Sequence, residues 1–179
     1  MNRITRWIIN QWYALTGIQI PIPPNGRNMI QIKKSPTADT RTCDFANVSK
    51  ETLLASSQQH IGDVGAAIGW LAILLCNRAD VHDFDKISDI DGFHRDFVTG
   101  FKKTTWWDNH RKVNRHHLLE QDGVPEDVNL LDVLDMIADC IMAGMARSGS
   151  VYPLNINPDV LMRAFQNTVE LLKTNVEVK

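Results

Sequence analysis

Residues 50–79 read "KETLLASSQQHIGDVGAAIGWLAILLCNRA", and the spacing of their apolar side chains sets the fold class. Leu53, Leu54, Ile61, Val64, Ile68, Leu71 and Leu75, with Ser57 among them, recur at intervals that place them on one face of a long α-helix. Ser49 stands where an N-cap hydroxyl would close the first turn. Outward from this helix, "GFHRDFVTGF" (92–101), "TWWDNHRKVNRHHLL" (105–119), "EDVNLLDVLDMIADCIMAGMARSG" (126–149) and "NPDVLMRAFQNTVELLKTN" (157–175) predict further helices. Asn157 and Pro158 open the last of them. Strand signals are confined to a brief alternation around Ile30 and Ile32. The expectation is an all-α fold: a helical bundle over residues 49–179 behind an N-terminal extension, residues 1–48. That extension combines an amphipathic helix through Ile4, Ile8, Trp12 and Leu15, stopped at Gly17, with a linker holding four of the seven prolines.

The 179 residues suit one compact domain, and a formal charge of -2 with a pI near 6.3 argues against a broad electrostatic grip on nucleic acid or anionic lipid. Cys43, Cys76 and Cys140 are odd in number and far apart with no C-x-x-C spacing, which argues against a thiolate zinc site and a disulfide framework and points to a reducing, cytoplasmic compartment. The most apolar run, Ile68 to Cys76, reads as too short to span a bilayer, and no leader pattern opens the chain. Trp7 and Trp12 would be wasted on solvent, so the N-terminal helix is a candidate surface for self-association into a homo-oligomer.

Metal-capable side chains recur on separate helical segments. His60 sits at the edge of the first apolar stripe; His82 and Asp83 follow in "DVHDFDK" (80–86); His110, His116 and His117 share one segment; Asp139 lies in the next. Imidazole and carboxylate together suit zinc, iron, manganese, cobalt or nickel, and a helical bundle is a common frame for such an ion. Each residue read singly has a plainer alternative: a hydrogen-bonded core-edge histidine, a polar helix end, a solvated basic face. His110 and His117 are two helical turns apart and would share a face, leaving one of His116 and His117 for the site. Asp139, pressed between apolar and so buried positions 134, 137, 138, 141 and 145, needs a cation; Asp132 and Asp135 share its side of the helix and either could be the inward one instead, Asp135 being the next choice.

Taken in order, His60, "HD" at 82 and 83, His110, "HH" at 116 and 117, and the aspartate of "IADCI" resemble the HD-domain superfamily of metal-dependent phosphohydrolases over roughly residues 50 to 147. "TADTRTCDFANVSKETLLASSQQHIGDV", "WWDNHRKVNRHHLL" and "MARSGSVYPL" are similar to small HD-like proteins encoded by bacteriophages, which would place the protein in host cytoplasm. The resemblance implies that His60, His82, Asp83 and Asp139 hold one metal. It further implies that Asp83 bridges to a second, held by His110 and one of His116 or His117, so that two divalent transition metals are expected per chain. Where nucleotidases of the family often carry an acidic residue three positions after the HD aspartate, this chain has Lys86.

The chemistry that follows is hydrolysis of a nucleotide or related small phosphoester by metal-activated water. Lys86 and Arg115 are the first candidates to meet phosphate, ahead of Arg111 and Lys112, and His94 or the spare member of the histidine pair to protonate the leaving oxygen. "TADTRTCD" (37–44) is a candidate substrate loop or a set of turn hydrogen bonds, and Trp106 and Trp107 could stack on a base or fill the core. Two other readings compete: an HD-type di-iron oxygenase acting on a small polar substrate, and a non-enzymatic phage interaction protein with a structural metal.

Overall fold

A computed structural model of the protein describes residues 29–35, 44–102, 105–119 and 124–179. The expected N-terminal helix, Trp7, Trp12 and Cys43 lie outside the described residues, as does all of the candidate substrate loop except Asp44. The described chain is essentially all-α. In order it forms β1 (Ile30–Ile32), α1 (Lys50–Val81), α2 (Phe84–Ser88), α3 (Ile90–Phe97), α4 (Trp106–Val113), α5 (Leu130–Ser148), α6 (Pro158–Thr174) and β2 (Val176–Val178). It divides into two compact units: one runs to Leu74 and includes Leu171–Lys179, the other is Leu75–Glu170.

In the first unit β1 and β2 pair in parallel, Ile30 opposite Val176 and Ile32 opposite Val178. Asp44 accepts from the Ala46 amide at 3.0 Å and from the Asn47 side chain at 2.9 Å, the local turn bonding that was the alternative to a substrate role. Ser49 caps α1 as expected, its Oγ accepting from the Thr52 amide at 3.1 Å. The apolar stripe behaves differently from expectation: Leu53, Leu54, Ile61, Val64 and Ile68 are between 40% and 61% exposed, while Ser56, Gly69 and Trp70 are buried. The helical stretch Lys50–Ser88 also contains an 18-residue window of mean hydropathy 1.4, of which 11% is buried, so it is long and apolar enough to cross a membrane. The sequence disguises this because Gly62, Gly65, Ala66, Ala67 and Gly69 interrupt the large side chains without adding charge. Soluble core helices meet the same criterion.

The second unit is built on a small core of Leu118, Val128, Val133, Met136 and Ala164. α5 begins with a reciprocal capping box between Asn129 and Asp132 and ends at Gly149, whose φ of 69° is left-handed. Its buried face carries Leu131, Asp132, Val133 and Met136, whereas Leu134, Ile137, Ile141 and Met145 are exposed. The apolar positions expected to enclose Asp139 therefore face outward, and the fully buried carboxylate of α5 is Asp132. Thr168 of α6 ties the two helices by accepting from the Leu130 amide at 2.9 Å.

α4 is shorter than its sequence pattern. It stops at Asn114, whose backbone is extended and whose Nδ2 donates to the His110 carbonyl at 3.0 Å. An asparagine that satisfies the last turn with its own side chain ends the ladder there, so residues 115–119 leave the helix. α2 has no counterpart among the expected helices. It starts from Asp83, which adopts φ 53°, ψ 21°, a left-handed conformation that aspartate tolerates better than most residues.

Candidate metal centre

The left-handed turn at Asp83 aims its carboxylate at three histidines. Oδ1 lies 3.4 Å from His110 Nε2 and 3.5 Å from His116 Nε2; Oδ2 lies 3.6 Å from His82 Nε2. His82 Nε2 is also 3.7 Å from Asp139 Oδ1. These separations are too long for good hydrogen bonds. The two to Oδ1 lie within the ~3.0–3.5 Å expected between two ligands each about 2.1 Å from one cation, and the two of His82 Nε2, at 3.6 and 3.7 Å, lie just beyond it. Two groups result, each with one ligand atom per residue and all such atoms within 4.8 Å of one another: His82, Asp83, His116 and Asp139, and Asp83, His110 and His117. Asp83 belongs to both.

Two buried atoms show that a cation fits. Asp83 Oδ1 and His116 Nε2 are shielded from solvent without a hydrogen-bond partner, a cost of roughly 1–3 kcal/mol for each such group. Both point into the groups just described, and both are good donors to a divalent transition metal. In the second group the Nε2 atoms of His110 and His117 face each other at 3.0 Å.

The far sides of the rings are held. His82 Nδ1 meets Asp135 Oδ1 at 2.9 Å, and His110 Nδ1 meets both oxygens of Asp85 at 2.9 and 3.0 Å. With Nδ1–H donating to carboxylate, each Nε2 keeps its lone pair for a metal. Asn114 fixes Asp85 in turn, donating to its Oδ1 at 2.9 Å. Trp106 and Trp107 stack on His110 with centroids 5.1 and 4.9 Å away. His110 is 1% exposed and His116 3%, so little water reaches either ring.

Burial, reinforced by the neighbouring His116 and His110, pushes the His117 imidazole down to about 3. Burial, with the nearby His82, also lowers that of His116. Both rings are thus held neutral, the state a metal requires. At Asp83, burial works to raise the carboxyl, but the hydrogen bond and charge of Lys86 outweigh it and hold it below the usual carboxylate range.

The structure brings together His82, Asp83, His110, His116, His117 and Asp139. Both members of the histidine pair face the groups, because they lie beyond the end of α4 and are freed from helical spacing. His60 is an exposed residue of α1 in the first unit, and neither group includes it. Asp135 orients His82 and belongs to neither group. His94 is exposed on α3 and also outside both groups. Arg115 differs most from its expected phosphate role. Its Nε and Nη2 fork onto Asp132 at 2.9 and 2.8 Å, and Nη1 reaches Asp127 at 2.9 Å. Those partners, Asp132 first, raise its pKa. Arg78 joins the same buried carboxylate at 3.0 Å. Lys86 is at the centre, its ammonium bonded to Asp83 Oδ2 and 5.7 Å from the Trp107 ring centroid.

No family model, curated protein or solved structure matches the chain.

Proposed function

We propose that the protein is a metal-dependent phosphohydrolase that cleaves a small phosphoester at a pair of divalent transition metals. The reading is carried by one observation, the membership of Asp83 in both His/Asp groups, which is what a carboxylate bridging two metals requires. His82, His116 and Asp139 would hold one metal with Asp83, and His110 and His117 the other. Bound there, manganese, iron, cobalt, nickel or zinc would supply the lowered pKa of coordinated water and the polarisation of a phosphoryl oxygen.

The chain's own residues perform the supporting work. Asp135 and Asp85 hold His82 and His110 in the tautomer that offers Nε2 inward. Lys86 neutralises the outer oxygen of Asp83 and adds a fixed positive charge beside the place where phosphate would bind. Hydrolysis then breaks the ester P–O bond, oxygen from water joins phosphorus, and the departing oxygen takes a proton. A nucleotide is one such substrate, and host cytoplasm the corresponding compartment. The test is release of phosphate from a panel of phosphomonoesters by protein loaded with each metal in turn; hydrolysis lost in Asp83→Ala is expected, and none with any metal would refute the proposal.

The all-nitrogen-and-oxygen donor set is equally suited to iron, which favours the oxygenase as the second reading. Dioxygen uptake by the iron-loaded protein, with no phosphate release by the zinc-loaded protein, would select it.

A further inference from the structure

A cavity of about 390 Å³ adjoins the metal groups, and the residues around it constrain what can enter. His116, His117 and Asp139, from both groups, line it, so a ligand inside would meet the metal-facing side chains directly. Leu118, Leu119, Met136 and Cys140 supply an apolar wall, and Trp107 adds an aromatic surface. Arg111 is the only cationic side chain among the described residues that line it. Its guanidinium, 15% exposed, pairs with Asp108 at 2.8 Å, and Asp108 is 54% exposed, so an anion in the cavity would share the guanidinium with that carboxylate.

Size and charge act together. An apolar cavity of ~150 Å³ holds benzene, so this one has room for a flat apolar ring and a single anionic head.

On the proposed phosphohydrolase reading, we infer that this cavity takes the organic group of a phosphomonoester with an apolar, flat body, its anionic head shared between Arg111 and the metal groups. The class is an aryl or base-like monophosphate, as against a bare sugar phosphate, whose hydroxyls would meet Leu118, Leu119 and Met136 without partners. The orienting contacts are few, as expected of a pocket in which apolar area gives affinity and one charge gives direction.

The test is calorimetric titration of the full, manganese-equilibrated chain with phenylphosphonate, which resists hydrolysis, and with inorganic phosphate. Phenylphosphonate should bind about tenfold or more tightly than phosphate, the effect of burying a ring. Leu119→Trp, at a residue 47% exposed and therefore tolerant of size, should abolish that preference while phosphate still binds. Arg111→Gln should weaken both. Cys140 locates the ligand: its alkylation by iodoacetamide, mapped by peptide mass, should be slowed by phenylphosphonate and unaffected by phosphate. Equal binding of the two ligands, or a preference that survives Leu119→Trp, would overturn the inference even if phosphoesters are hydrolysed. The full preference with no hydrolysis under any metal would refute the proposed reaction and leave the cavity assignment standing.

Discussion

Asp85→Ala tests whether the second His/Asp group is a working site. Asp85 lies in neither group, yet both its oxygens are within 3.0 Å of His110 Nδ1 and one accepts from Asn114 at 2.9 Å. Removing it leaves the Nδ1–H of a ring that is 1% exposed without its acceptor, a cost of roughly 1–3 kcal/mol to the fold. It also releases the tautomer: His110 can then turn Nδ1 rather than Nε2 toward its free side. Loss of such an orienting carboxylate costs ~10–100-fold in metal affinity, or about 1.4–2.7 kcal/mol. Asn114 limits the damage, because its Nδ2 still donates to the His110 carbonyl and holds the end of α4. In a calorimetric titration with zinc, the weaker binding step should weaken alone while the other keeps its affinity. Asp135→Ala is the mirror case and should affect the other step, through His82. Equal weakening of both steps by either variant, or no change, would refute the division into two groups with separate supports.

Other substitutions probe the frame around the site. Asp132→Ala should destabilise by about 3–5 kcal/mol in urea unfolding, since it leaves Arg78 and Arg115 facing a buried void and removes the Asp132 half of the α5 capping box. Met136→Ala, at a core residue 3% exposed, should cost about 2–5 kcal/mol by the same measurement. Gly92→Ala should lower Tm: a Cβ there would lie 2.1 Å from Asp89 Oδ2, forcing away the carboxylate that caps α3 and accepts from Trp106 Nε1; about 1 kcal/mol is expected for the cap alone. Lys86→Met should tighten metal binding by up to about tenfold, because the ammonium competes with a metal for Asp83, while phosphoester turnover falls.

The helices were legible because their apolar spacing and caps are local: Ser49, Asn157 and Pro158 mark starts that the structure keeps. The short strands were partly hidden, since "VEV" at 176–178 has no local signal beyond three residues and pairs with a partner almost the whole described chain away. Burial was less legible than periodicity. On α5 the face turned inward is set by what α6 and the loop before α5 supply, so Asp132 is buried and the neighbours of Asp139 are exposed. Asp139 nonetheless lies in one of the two His/Asp groups, for a reason other than the burial expected of it.

At the site, sequence order identified six of the grouped side chains but not their arrangement. The placement of both His116 and His117 depends on Asn114 ending α4 with its own side chain, a tertiary event because Asn114 is also held by Asp85. Asp85 carries a usable signal, an acidic residue two positions after Asp83 in "HDFDK". The use of Arg115 was not readable, since its partners Asp132 and Asp127 come from the far side of a loop.

The central claim is that Asp83 joins two metal positions, and elemental analysis of purified, metal-equilibrated protein beside Asp83→Ala tests it most directly. About two metals per chain, as in other paired-metal sites, with both diminished in the variant while its circular dichroism is unchanged, is the predicted result. A wild-type chain that takes up no metal under any condition, or a variant that binds as much as the wild type, would contradict it.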